Sequence, residues 1–147
     1  MNRRRAMMRR AAAASYPHWR MNVSGVTSGS SIALAELELR SSYGGAQAAI
    51  GGTATTSNAA YGAAANAFDG HAATFWATNG VPEWLAYELP SPLSVMEIQL
   101  RSRSGVTSQT PHVFTIEGSA DGVAWDVVST HSIAEMAAET TLVLTVQ

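Results

Sequence analysis

The residues with the clearest chemical potential lie in one short run, Asn66-Ala-Phe-Asp-Gly-His-Ala-Ala-Thr-Phe-Trp76. Asp69 supplies a carboxylate and Thr74, five residues on, a hydroxyl. Gly70 between them tolerates the backbone angles that turn carbonyl oxygens inward. Hard cations such as calcium take about six to eight oxygen ligands, so one carboxylate is thin and a second acid must come from elsewhere in the chain. The same spacing also describes a plain Asx-type turn in which the Asp accepts from backbone amides. On spacing alone the turn is the commoner case.

Other chemistry is sparse. No cysteine is present, which excludes disulfides, thiolate metal sites and thiol nucleophiles. No Gly-x-Ser-x-Gly elbow, His-Glu-x-x-His, phosphate loop or dinucleotide fingerprint occurs. The four histidines, His18, His71, His112 and His131, are scattered. Asn22-Val-Ser24 matches a glycosylation sequon, a match too common to carry an inference. The sequence therefore points to a non-enzymatic protein.

Charge divides the chain. All nine basic residues are Arg, and five of them (Arg3, Arg4, Arg5, Arg9, Arg10) fall in the first ten positions. The rest of the chain carries four Arg against eleven acids, a balance of −7. Counterion release needs clustered cations, so the acidic body is not expected to bind nucleic acid. The basic leader, residues 1–15, lacks the apolar run of a secretory signal. It shares its composition with transit peptides, and reads most simply as a solvated segment that docks on an acidic partner or a neighbouring subunit. No apolar run approaches the roughly 20 residues of a membrane helix, so no membrane insertion is expected.

The elements that must position the Asp69 loop read as strands. Apolar and polar residues alternate from Trp19 to Ser24 and through 32–40, where Ala35, Leu37 and Leu39 share one face and Glu36, Glu38 and Arg40 the other. Further strands are expected at 83–89, 95–103, 112–118, 123–130 and 140–146, separated by Pro90-Ser-Pro92, Ser104-Gly105 and the hairpin signal Asp121-Gly122. Helical periodicity is confined to the leader and a short stretch around 133–138. The small-residue run 41–65 reads as a linker or a set of surface loops. The fold class is all-β: one antiparallel β-sandwich over residues 16–147.

Four pieces in order carry a resemblance: the Ala-Phe-Asp-Gly loop with its Thr and Trp76, the strand around Trp84, the strand Val95-Met-Glu-Ile-Gln-Leu-Arg101, and Phe114-Thr-Ile-Glu-Gly-Ser-Ala-Asp-Gly-Val-Ala-Trp125. Over residues 58–147 the chain resembles the discoidin, or coagulation-factor type C, family of galactose-binding-like jelly rolls. The strands at 18–23 and 31–39 are similar to that family's closing strands but come first, as in a circular permutation, which costs little where the ends of a sandwich lie close. Short proteins of this order resemble accessory proteins of tailed phages.

The resemblance implies a structural calcium ion held by the Asn66 and His71 carbonyls, the Asp69 carboxylate and both Thr74 oxygens, with the Ala35 carbonyl and the Glu36 carboxylate from the closing strand. It places all four tryptophans at core or loop-bracing positions. In sugar-binding relatives a His after the calcium loop and Arg residues on the next strand and loop hold hydroxyls. Arg103 matches one such Arg, Ala77 stands near the His position, and His71 and His112 are substitutes. Tyr43 and Tyr61 are freer aromatics, and Tyr61 joins the ligand-binding candidates. The implied function is a calcium-stabilised, lectin-like module for a cell-surface glycan or polysaccharide, displayed on a phage or phage-like particle for adhesion. Its expected setting is a virion or extracellular surface, within an oligomer or larger assembly of virion subunits. The alternative is a structural virion protein, a head decoration, fibre or tail component, that uses the jelly roll for protein contacts.

Overall fold

A computed structural model describes residues 12–147. The basic leader falls almost wholly outside these residues. Ten strands and one short 3-10 helix follow in the order β1 (Tyr16–Val26), β2 (Ala33–Leu34), β3 (Glu36–Arg40), β4 (Thr53–Thr56), η1 (Ala64–Phe68), β5 (Trp76–Ala77), β6 (Glu83–Leu93), β7 (Glu97–Arg101), β8 (Pro111–Ser119), β9 (Asp126–Ser132) and β10 (Thr141–Thr145). Every strand pair is antiparallel. The larger sheet has the order β4-β6-β1-β8-β9, the facing sheet β10-β7-β3, and β2 pairs with β5. This is the all-β sandwich that the alternation predicts.

The core follows strand parity. From the larger sheet, Trp19, Met21 and Val23 of β1, Leu85, Tyr87 and Leu89 of β6, and Phe114 and Ile116 of β8 point inward. Leu37 and Leu39 of β3 and Ile98 and Leu100 of β7 meet them from the other sheet. The Trp19 indole N–H reaches the carbonyls of Tyr16 and Leu93, both at 3.1 Å, so the largest core side chain leaves no polar atom unpaired. The ends of the described chain are clasped: Ala14 N–H donates to Gln147 Oε1 (2.7 Å), and Gln147 Nε2 donates to the Ala14 and Val95 carbonyls (3.1 and 2.9 Å).

Three expectations are corrected. The run 32–40 is not one strand: it breaks at Ala35, whose N–H donates to the Arg101 carbonyl at 2.9 Å while β2 and β3 join different partners. The stretch 133–138 is not helical. It crosses between the sheets, with Ile133 N–H on the His112 carbonyl and Met136 buried, and one turn's length is too short to nucleate a helix. The small-residue run 41–65 contains an edge strand, β4, made of Thr-Ala-Thr-Thr, whose alternation shows no large residues.

Because β1 is the middle strand of the larger sheet, its inward side chains should carry much of the stability. Met21→Ala, at a fully buried position, is expected to cost about 2–5 kcal/mol in urea unfolding, whereas Val123→Ala at an exposed turn should change it by less than about 0.5 kcal/mol.

Candidate functional site

The helix η1 places the oxygen-rich loop. Ala67 is fully buried and Phe68 packs on Tyr87 with ring centroids 4.9 Å apart, so the chain leaves η1 anchored to the core. Asp69 ends the helix, and Gly70 at φ 74° reverses the chain. The Asp69 carboxylate then accepts from the His71 N–H (2.8 Å) and the Thr74 hydroxyl (2.6 Å), while the His71 carbonyl faces the Thr74 N–H (3.2 Å) and hydroxyl (2.9 Å). Taken alone this is the Asx-type turn.

The break at Ala35 changes that reading by bringing a second acid. Glu36 opens β3 on a buried position, and its Oε2 accepts from the Gly70 N–H at 3.3 Å. Its Oε1 is buried with no hydrogen-bond partner. Burial first, then a hydrogen bond with the adjacent Asp69 carboxyl and its charge, push Glu36 from 4.5 to about 7, against the pull of the Gly70 and His71 N–H groups. Burial pushes Asp69 up as well, but bonds from Thr74, His71 and Glu36 outweigh it and hold Asp69 below its ordinary value. Of the two carboxyl groups, Glu36 is thus the one on which a proton is favoured.

The orphaned buried oxygen of Glu36 and the Asp69 carboxylate, with the Thr74 hydroxyl and the His71 carbonyl beside Asp69, are the kind of oxygen ligands that a hard cation takes. No cluster of three or more His, Cys, Asp or Glu side chains occurs among the described residues, so backbone and hydroxyl oxygens would have to complete the set. Glu36, Asp69, His71 and Thr74 are brought together by the bonds above. Ala35 stands immediately before Glu36, and Asn66 lies in η1 with its Nδ2 donating to the Phe75 carbonyl at 3.0 Å, tying the helix to the far end of the loop. Glu36 is too buried to meet a substrate directly, so holding an ion is the chemistry that the pair suits.

The ligand candidates divide. The Arg103 guanidinium lies 3.6 Å from the Phe75 ring centroid. Tyr61, with its side chain exposed, donates its N–H to the Ala77 carbonyl at 3.1 Å. Residues 71–77 thus link His71, Arg103 and Tyr61 at one end of the sandwich. His112, at the start of β8, is turned to the Ile133 carbonyl through its Nδ1 and is not joined to this set by a hydrogen bond. Tyr43 bonds through its hydroxyl to the Gln147 carbonyl, beside the clasped chain ends.

The tryptophans divide between the two kinds of position expected of them, core and bracing. Trp19 and Trp76 are core, but Trp84 and Trp125 are only half-buried, on the outer face of the larger sheet around Arg20. The signal for Trp84 was present in parity: it alternates with Leu85, Tyr87 and Leu89, which fill the inner face. Arg20, missed altogether, shares the outward parity of His18 and Asn22.

Comparison with known proteins gives one match. The family model described as F5/8 type C domain matches residues 51–145, a span from just before β4 to the end of β10 that includes the Asp69 loop and Arg103. No curated protein and no solved structure matches the chain. The strands β1, β2 and β3, with Ala35 and Glu36, precede the matched span.

The carboxyl pair makes stability depend on pH with a definite sign. The folded chain keeps the Glu36 proton at pH values where the unfolded chain has lost it, so this contribution is full below pH 4.5 and is lost as pH rises through about 7. In chelator, the melting temperature should fall between pH 5 and pH 8. Glu36→Gln should flatten that decline, as measured by thermal denaturation across the range.

Proposed function

Because the chain belongs to the F5/8 type C family, we propose that it is a non-enzymatic, calcium-stabilised module that binds a glycan at the loop end carrying Arg103. The family consists of carbohydrate- and lipid-binding modules that are generally non-catalytic. The choice of carbohydrate over lipid rests on charge and surface. Outside the leader the chain carries four Arg against eleven acids, which disfavours an anionic bilayer surface. The exposed large apolar residues, Tyr43, Ile50, Tyr61, Val123, Val127 and Val143, come from several separate segments of the chain rather than from one loop.

The observation that carries the reading is the Arg103–Phe75 stack, with the exposed Tyr61 bonded through its N–H to Ala77, two residues on from Phe75. Phe75 holds the guanidinium in place, leaving its N–H groups to donate to sugar hydroxyls. Tyr61 offers a ring against which the apolar face of a pyranose can stack. Calcium would be held by the Glu36 and Asp69 carboxylates, the Thr74 oxygens and the carbonyls of Ala35, Asn66 and His71. When bound it would supply a positive charge in place of the Glu36 proton and tie the loop to β3. Through that tie His71 and Phe75, and with Phe75 the Arg103 guanidinium, keep their places.

We extend the proposal to display on a phage-like particle for adhesion to a host-surface glycan, with the Arg-rich leader as the anchoring segment. Its support is the strand order: β1 and β3 precede the matched span yet complete both sheets, and Ala14 is clasped to Gln147. That is the geometry a permuted jelly roll requires.

A glycan array probed with the full chain in calcium, then in chelator, tests the reading. Saturable, competable binding that Arg103→Ala weakens is expected. A folded protein that binds no glycan in calcium would overturn it and leave the structural virion role, with jelly-roll contacts between subunits, in its place. Calcium at about a hundredfold over its dissociation constant should add about 2.7 kcal/mol of stability, and Asp69→Ala should abolish that gain in a thermal melt.

A further inference from the structure

The outer face of the larger sheet holds a cavity of about 340 Å³, at the small end of the range for ligand sites, which the loop-end reading does not use. Its floor is β1 and β6. His18 stands opposite Glu88 in the register, and Arg20 opposite Ala86, while Thr55 of β4 extends the same row. One wall is Trp84. The other is the β8–β9 turn, which folds back over the sheet so that Trp125 covers Arg20 and a Cβ at Gly122 would lie 3.3 Å from the His18 ring. This turn is rigid: Asp121 Oδ1 accepts from the Val123 and Ala124 N–H groups (2.9 and 3.0 Å), and Ser119 Oγ accepts from the Gly122 N–H (2.8 Å).

Two aromatic walls, a fixed cation and several unengaged polar groups define what fits. Arg20 lies 4.3 Å from the Trp125 ring centroid and 6.0 Å from that of Trp84, and its charge is already met by Glu117. Among the described residues, the side chains of His18, Thr55 and Glu88 and both indole N–H groups make no hydrogen bond. A cationic ligand would sit against the Arg20 guanidinium between the indoles. An anionic ligand would face Glu88 and Asp121, since Glu117 already neutralises Arg20. A neutral ring with an apolar face and several hydroxyls meets neither penalty: carboxylates accept its O–H groups, the indole N–H groups donate to its oxygens, and its C–H face lies on an indole.

We propose that this cavity is a second ligand site, separate from the Arg103 loop end, that takes a neutral pyranose unit. The site needs neither the calcium loop nor Arg103. Binding uses parts of the sheet that are already in place, so it demands no loop closure. With the loop-end site it would give one module two contacts on a long polysaccharide.

The four indole N–H resonances of the 15N-labelled full chain provide the test, because their environments differ. Those of Trp19 and Trp76 are bonded to protein carbonyl or hydroxyl oxygens in the core, and those of Trp84 and Trp125 are not. The chain is titrated in chelator with the methyl glycosides of galactose, glucose, mannose and N-acetylglucosamine, and with 3′-sialyllactose as the anionic probe. The expected result is a saturable shift of the Trp84 and Trp125 indole signals with at least one neutral glycoside. Glu88→Ala, at an exposed position that bonds nothing, should weaken that binding, and Trp125→Ala should weaken it about tenfold. Shifts confined to the amides of residues 61–62, 71–77 and 103 would place the sugar at the loop end alone and overturn the inference. So would indole signals that no neutral glycoside moves, or that move only with sialyllactose. Binding that Glu88→Ala leaves unchanged would overturn it even if Trp125→Ala proved unstable.

Discussion

The larger sheet exists only because β1 lies between β6 and β8. Those two strands are joined to each other by no ladder, so without β1 the five-stranded sheet would part into the pairs β4-β6 and β8-β9. Its inner residues, Trp19, Met21 and Val23, are the fully buried centre of the sandwich, and its outer residues, His18 and Arg20, floor the outward cavity. Both faces of one strand thus answer to different demands, and a one-residue slip of register would exchange them. The two indole–carbonyl bonds of Trp19 and the Arg20–Glu117 ion pair hold the register from opposite sides of the sheet.

A second constraint acts at the other sheet. Alternation would carry residues 32–40 through as one strand, yet the chain kinks at Ala35 so that β2 can meet β5 while β3 meets β7. The kink sets Glu36 on a buried position over the Asp69 loop, and the carboxyl pair is the result. Burying the Glu36 carboxyl beside the exposed Asp69 is unfavourable unless a proton or a cation meets its charge. That unfavourable term is local, and the surrounding core, with Ala67, Trp76 and Leu37 all buried, offsets it. Sites of this kind trade stability for affinity.

Much of this was legible in the sequence, for reasons that differ by element. Strands with large residues on one parity, such as β3, β6 and β8, declare themselves because burial imposes the period. β4 is hidden because its Thr-Ala-Thr-Thr presents nothing large to the core, its partner β6 supplying the bulk. The stretch 133–138 misleads because Ile133 and Met136 are spaced as on a helix while the chain merely crosses between sheets. The local oxygen pattern around Asp69 cannot name its second acid, which lies more than thirty residues away and is brought in by topology. Only the resemblance to a known order of strands indicated Glu36. For Trp84 and Trp125 the resemblance left core and loop-bracing positions open: parity puts Trp84 on the outer face, and the hairpin turn carries Trp125 over to join it.

The clasp between Ala14 and Gln147 gives the module a direction. Gln147 bonds the Val95 carbonyl just before β7, while Glu36 stands opposite its far residue, Arg101, and Arg103 follows two residues on, so the five-residue strand sets about 16 Å between the two poles. A segment joined at either Ala14 or Gln147 departs from the pole opposite the Arg103 loops. Tethered there, the molecule would stand on its clasp like a stalked reader, with the Arg103 loops outermost and the Trp84–Trp125 cavity on its flank. Neighbours packed side by side would then cover the flank before they covered the tip, so spacing on a crowded surface would decide which of the two faces meets a polymer.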